Sequence, residues 1–162
     1  MSTRITHETT VRPGRELLLD TALVTLRIAA GGFLLPHGLA KLFGWFDGPG
    51  LSGFAAELQG FALPSFAPFP GILAFLQTLL GLSVLLGAWT RLSATLAMVF
   101  IGVTVILNIS NGWFWNHHGA EYPVFWSLVL FSLLLMGGGH YSLDTLIRRY
   151  HLPGYEDECC DS

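Results

Sequence analysis

Uncharged apolar runs of about 18 residues or more recur along this chain, the length a helix needs to cross a hydrocarbon core. Lipid offers no partner for backbone N–H and C=O groups, so a chain built this way must satisfy them internally, which helices do. Hydrophobic residues make up 52% of the 162 and charged residues 12%, against about 25% charged in ordinary soluble domains. The fold class this predicts is all-α, an integral membrane four-helix bundle in one domain. A formal charge of −3 argues against a nucleic-acid partner. Cys159 and Cys160 stand together near the C-terminal end, so no disulfide framework is implied and an inert tail is expected. The N-terminal region does not read as a signal peptide. Its polar lead is long, its apolar part contains Arg27, and no small-x-small cleavage site follows.

In chain order, residues 1–19 read as a polar cytoplasmic lead, 20–144 as the bundle and 145–162 as a cytoplasmic tail. Helices are expected near 20–43, 69–88, 92–109 and 123–139, with the acidic end of the tail disordered. Between the first two helices, Leu51, Phe54, Ala55, Leu58, Phe61 and Ala62 recur at helical spacing after a Gly-Pro-Gly turn. They predict a short amphipathic helix in the first outer loop, lying on the membrane or folded over the bundle as a lid. Arg4, Arg12, Arg15, Arg91, Arg148 and Arg149 fall on one side and Lys41 on the other. The positive-inside rule then puts both termini in the cytoplasm, as for a multi-pass protein of the inner, cytoplasmic membrane. Small and hydroxyl-bearing residues line one face of the second helix (Ala74, Gln77, Thr78, Gly81, Ala88) and one of the third (Ser93, Ala97, Thr104, Asn108). Such stripes let membrane helices approach closely, so both are expected to point inward.

The first span carries ionisable residues, which in hydrocarbon are costly and count as functional candidates. His37 and Lys41 lie four residues apart on one helical face, just after Pro36. From the helical rise, His37 sits ~7 Å to the outer side of the midplane and Gln77 near it. Asn108, Asn111 and Glu121 are expected toward the outer surface, so a polar pocket opening outward is predicted, with His37 and Lys41 as catalytic groups and Gln77, Asn108, Asn111 and Glu121 binding the ligand. Each has a plainer reading. His37 could bond a carbonyl freed by Pro36, Lys41 could snorkel to headgroups, and Gln77 could join two helices. Arg27, Arg91 and Asp144 read as structural charges, Arg27 reaching lipid phosphates or pairing with Asp20 or Asp144. His117-His118 is a weak metal candidate, since adjacent histidines in a loop point apart; no metal, haem or flavin motif is present.

Taken together, Arg27 with Gly31, His37-Gly38 with Lys41, the Gly44–Gly50 turn, Gly87 with Thr90-Arg91, and the Gly137–Asp144 exit resemble the DoxX/DoxD-like family of small membrane proteins. The similarity spans about residues 20–144 and implies a four-helix membrane bundle. It also implies an association with redox chemistry, since some relatives are subunits of a thiosulfate:quinone oxidoreductase and others belong to thiol or oxidative-stress complexes. Family members often carry a glutamate where this chain has Gln77, and an amide cannot exchange a proton as a carboxylate does.

The function expected is a quinone-interacting subunit of an oxidoreductase complex in the bilayer, its electrons brought by a protein partner. The competing expectation is a non-catalytic anchor or scaffold of a larger complex or homo-oligomer. A small-solute transporter is a third possibility, but no paired broken helices are visible.

Overall fold

The computed structural model describes residues 13–151, and every regular element among them is helical. The elements are α1 (Pro13–Arg27), a π turn (Ile28–Gly32), α2 (Phe33–Phe43), α3 (Gly50–Gly60), α4 (Phe69–Leu86), α5 (Thr90–Asn108), α6 (Glu121–Met136) and α7 (Leu143–His151), with short 3-10 turns between. Three helices are long and apolar enough to cross a membrane: the α1–α2 rod over Gly14–Phe43, α4, and α5 with its 3-10 extension to Asn111. The expected fourth span is the apolar helix α6, of 16 residues. It rises about 24 Å, short of the ~30 Å hydrocarbon thickness, because Gly137 at φ 83° ends it three residues before the expected end.

The first helix starts at Pro13, against an expected start near Asp20. Its π turn was not foreseen and has a local cause. Pro36 has no N–H for the Gly32 carbonyl and its ring crowds that oxygen; a widened turn directly before it takes up the misfit, and glycines at 31 and 32 allow it. Left-handed glycines close α2 and α4: Gly44 at φ 69° bonds back to the Ala40 carbonyl, and Gly87 at φ 70° to Val84.

The rod packs on α4 and α6, and α5 packs on the same two helices, giving a four-membered ring. Its core joins Leu23, Ala30 and Leu34 to Leu80, Val84, Ala94, Ala97, Ile101, Leu130 and Leu133. The closest approach is between rod and α4, where a Cβ added at Gly31 would meet the Gly81 carbonyl oxygen at 2.6 Å, and one at Gly81 the Leu35 nitrogen at 2.9 Å. Without a hydrophobic drive between helices in lipid, such close van der Waals packing holds membrane spans together. On α4, Ala74, Gln77 and Gly81 are buried; on α5, Ser93, Ala97 and Ile101 are buried while Thr104 and Asn108 are half-buried. Ile72, Phe75, Val99, Ile106 and Leu128 face outward as a lipid-directed surface.

The short helix α3 folds back over one end of the bundle. Phe54 and Leu58 are buried against Ala74, Leu42, Leu73 and Phe69, so the lid alternative is the arrangement observed. At the opposite end, α7 was not anticipated: residues 143–151 form a helix where an irregular exit and tail were expected. Cys159, Cys160 and the acidic stretch lie outside the described residues.

Candidate functional site

The polar residues of the spans collect at the α3 end, around two adjoining clefts. Lys41 is half-buried and points into the bundle: its Nζ donates to Gln77 Oε1 at 3.0 Å and lies 4.4 Å from the centre of the Phe54 ring. It does not snorkel to the headgroups. Gln77 is 3% exposed and joins two helices through this bond. The pair exists because Gly38, one turn before Lys41 and three residues from it, lets the rod sit directly against Thr78. That close approach sets the lysine stem alongside Gln77, while α3 closes over it with Phe54, an aromatic face that attracts a cation.

The lid cleft, about 530 Å³, lies beneath α3 and is lined by Lys41, Phe54, Glu57, Leu73, Phe100 and Asn108, with Phe61, Leu63, Val103, Leu107, Asn111 and His118 around them. Its character is a mostly apolar slot with a cation, Lys41, and an anion, Glu57, in its lining. An ammonium has three protons; Gln77 takes one, and a carbonyl or phenolic oxygen in the slot is a fitting acceptor for another.

The lateral cleft, about 690 Å³, opens between the rod and α6 and holds His37, Tyr122, Trp126, Trp115, Asn108 and His118. His37 is exposed along this cleft and meets Trp126 edge-on, with ring centres 5.3 Å apart at 82°. His37 and Lys41, expected to share one pocket, therefore serve neighbouring ones. Asn108 and His118 line both clefts and form the partition. A one-turn spacing does place two side chains on the same face, but that face is wide enough for each to meet a different neighbour.

The other candidates are placed as follows. Asn108 donates to the Thr104 carbonyl at 2.9 Å, which leaves its amide oxygen beside Asn111 Nδ2 at 3.4 Å. Asn111 also reaches the His118 carbonyl at 3.3 Å. Glu121 lines neither cleft; its carboxylate accepts from the Trp115 N–H at 3.1 Å and holds the second loop at the start of α6. Among the described residues, no group of three or more His, Cys, Asp or Glu is placed to hold a metal ion.

At the far end, the structural charges form a backbone clasp. Arg27, 4% exposed, donates to the Tyr141 carbonyl at 2.7 Å, not to a carboxylate as expected. The two carboxylates proposed for it serve backbone donors: Asp20 accepts from His140 N, and Asp144 from the N–H groups of Trp89 and Thr90. Peptide N–H groups at the start of α5 are strong fixed donors and hold Asp144, while a turn N–H holds Asp20. Arg91 reaches the Leu135 carbonyl at the end of α6, at 3.4 Å.

Reasoning from sequence placed His118 with the outer polar groups and missed Phe54, Glu57, Tyr122 and Trp126 as lining residues. Trp126 carried a usable signal, a tryptophan five residues into an apolar run rather than at an interface.

No curated protein and no solved structure matches the chain. The profile of the DoxX family matches residues 22–110, from the rod through α5 to the first residues of the second loop. That span covers more than half of the sequence and includes Arg27, Gly31, His37, Lys41, Gln77 and Thr90, whose contacts build both ends of the bundle. The chain is thus a membrane protein belonging to the DoxX family.

Proposed function

We propose that this protein is a redox-associated membrane subunit that binds a quinone in the cleft beneath α3, and that it works within a quinone-dependent oxidoreductase complex of the inner membrane. The observation that carries the reading is Lys41: a cation held by a buried amide at the wall of a mostly apolar slot whose other charged lining group is Glu57. A quinone has the matching shape and chemistry, a flat apolar ring edged by carbonyl oxygens, with a tail at home in lipid. Reduction to quinol adds two electrons and two protons. A partner protein supplies the electrons, and Lys41 stabilises negative charge as it develops on the nearer carbonyl oxygen. His37, one turn away on the adjoining cleft, is the group suited to proton exchange, since a neutral imidazole carries one donor and one acceptor nitrogen. Asn108, on the partition, orients the ring. Gln77 keeps the ammonium in place and moves no proton itself.

In this reading α6 is a fourth span, its shortness met by local thinning of the bilayer. Both termini face the cytoplasm, because Arg91, Arg148 and Arg149 share the α7 end while Lys41 lies at the α3 end.

Titration of the purified protein with a short-tailed quinone, followed by tryptophan quenching, tests the proposal. Losing a charged hydrogen bond of ~1.5 to 3 kcal/mol should weaken binding about 10- to 100-fold in Lys41→Ala. Equal binding by wild type and Lys41→Ala rejects the site, and unchanged quinone turnover by the complex carrying His37→Ala removes His37 from proton exchange. If instead both variants keep full activity in the complex while changes in the loops abolish co-purification of a partner, the protein is a scaffold.

A further inference from the structure

Helix α7 is amphipathic in the reverse sense for a helix docked on a protein. Asp144 and Thr145 face the bundle: Asp144 accepts from Trp89 and Thr90, and Thr145 Oγ1 donates to the Gly139 carbonyl at 2.9 Å, while Arg148 and Arg149 are exposed. Its apolar residues face away, with Leu146 49% and Tyr150 78% exposed. Leu143, Leu146 and Tyr150 follow one another at three- and four-residue steps and so form one stripe. Beside it, a cleft of about 850 Å³ is lined by Trp89, Thr90, Arg91, Gly138, Asp144 and Arg148, among others. The one acidic group in that lining, Asp144, already accepts three hydrogen bonds. Around this level Trp89 is 75% and Tyr141 60% exposed, and α4 ends at Leu86 just as α5 begins at Thr90. Leu86, at the exposed end of α4, lines a shallow cleft together with Leu143 and Leu146, so the outer surface of α4 adjoins the stripe.

We infer that α7 is an interfacial helix, lying in the headgroup layer with Leu146 and Tyr150 toward the acyl chains, and that the cleft between Arg91 and Arg148 holds the phosphate of an anionic phospholipid. An outward apolar stripe flanked by arginines is the pattern of a helix in the plane of the interface. The exposed aromatic residues are those that settle at headgroup level. Charge decides the lipid class: two guanidiniums and no free carboxylate in the cleft favour phosphatidylglycerol over a zwitterionic lipid. The inference does not depend on the quinone reading, because the cleft is at the other end of the bundle.

Two measurements on the full chain test it. Native mass spectrometry after incubation with equimolar phosphatidylglycerol and phosphatidylcholine should show preferential retention of the anionic lipid. Arg148→Gln should lower the retention ratio about fivefold, the factor equivalent to ~1 kcal/mol for one basic residue at a membrane surface. Excess inorganic phosphate should leave the ratio unchanged; loss of retained lipid to phosphate would show an ion site in place of a lipid site and overturn the inference. So would a ratio near one in wild type, or a preference that emerges only after residues 152–162 are deleted, which would make the acidic tail the occupant. For the helix, with Cys159 and Cys160 changed to serine, a nitroxide at Leu146→Cys in vesicles should collide more with oxygen than with a soluble nickel chelate. Arg149→Cys should show the opposite. Equal chelate access at both positions contradicts the interfacial placement.

Discussion

Removing the Asp144 carboxylate should unfasten the turn between α4 and α5 by an amount that can be worked from its three hydrogen bonds. Asp144 Oδ1 accepts from Trp89 N at 2.6 Å, and Oδ2 accepts from Thr90 N and Thr90 Oγ1, each at 2.8 Å. Trp89 is exposed, so its N–H can turn to water when the carboxylate is gone. Thr90 is 1% exposed and cannot. Leaving its N–H and hydroxyl unpaired costs ~1 to 3 kcal/mol each, and losing a negative charge at the start of α5 adds about 0.3 to 1 kcal/mol. Asp144→Ala should therefore destabilise by about 2 to 7 kcal/mol. For a chain of this length that is a fall of about 10 °C in the thermal midpoint. Asp144→Asn keeps one acceptor oxygen and should lose about half as much. Thr90→Val removes the orphaned hydroxyl, so Asp144→Ala should cost less in that background. The assay is tryptophan emission against temperature in one mild detergent at one scan rate, because membrane proteins commonly unfold irreversibly. The reasoning fails if Asp144→Ala melts within a degree of wild type, or if the Thr90→Val background leaves its cost unchanged.

Gly31→Val should abolish accumulation of folded protein, because an added Cβ lies 2.5 Å from the Leu85 nitrogen. Gly102→Ala, with open space at its Cβ, should instead raise stability by about 0.5 to 1 kcal/mol in the same melts. Phe54→Ala should cost about 3 kcal/mol and release α3, seen as faster proteolysis between Gly50 and Gly60 with the bundle intact. Gln77→Leu should destabilise by ~1 to 3 kcal/mol by removing the amide that accepts from the Lys41 ammonium. Gln77→Glu should raise the melting temperature and weaken quinone binding in the quenching titration, because Lys41 is then tied to a carboxylate.

The spans and the lid were legible because their signals are local. Apolar run length marks the helices, and the three- and four-residue spacing of Leu51, Phe54 and Leu58 marks α3. The polar end was legible too, since Lys41 and Gln77 do meet. The division of His37 from Lys41 was not. It depends on which helix lies against each side of the rod, α6 beside Trp126 or α3 beside Phe54, and helix order around a ring leaves no mark in periodicity. Arg27 was only partly legible. Opposite charges pointed to Asp144, which does act on it through space, but the guanidinium's hydrogen bond goes to the Tyr141 carbonyl. Asp144 is held by peptide N–H groups of the α4–α5 turn, and Asp20 by that of His140 in the turn after α6. Helix α7 was hidden because it is only nine residues long and starts four residues after the glycine run that follows α6.

The most direct test of the central claim is photoaffinity labelling with an azido-quinone, followed by peptide mapping of the adduct. Binding beneath the lid predicts label on α3 between Phe54 and Phe61 and on α5 between Phe100 and Leu107, suppressed by unmodified quinone and by Lys41→Ala. Label on Tyr122 and Trp126, or on outward residues such as Phe75 and Ile106, with no effect of Lys41→Ala, would contradict it.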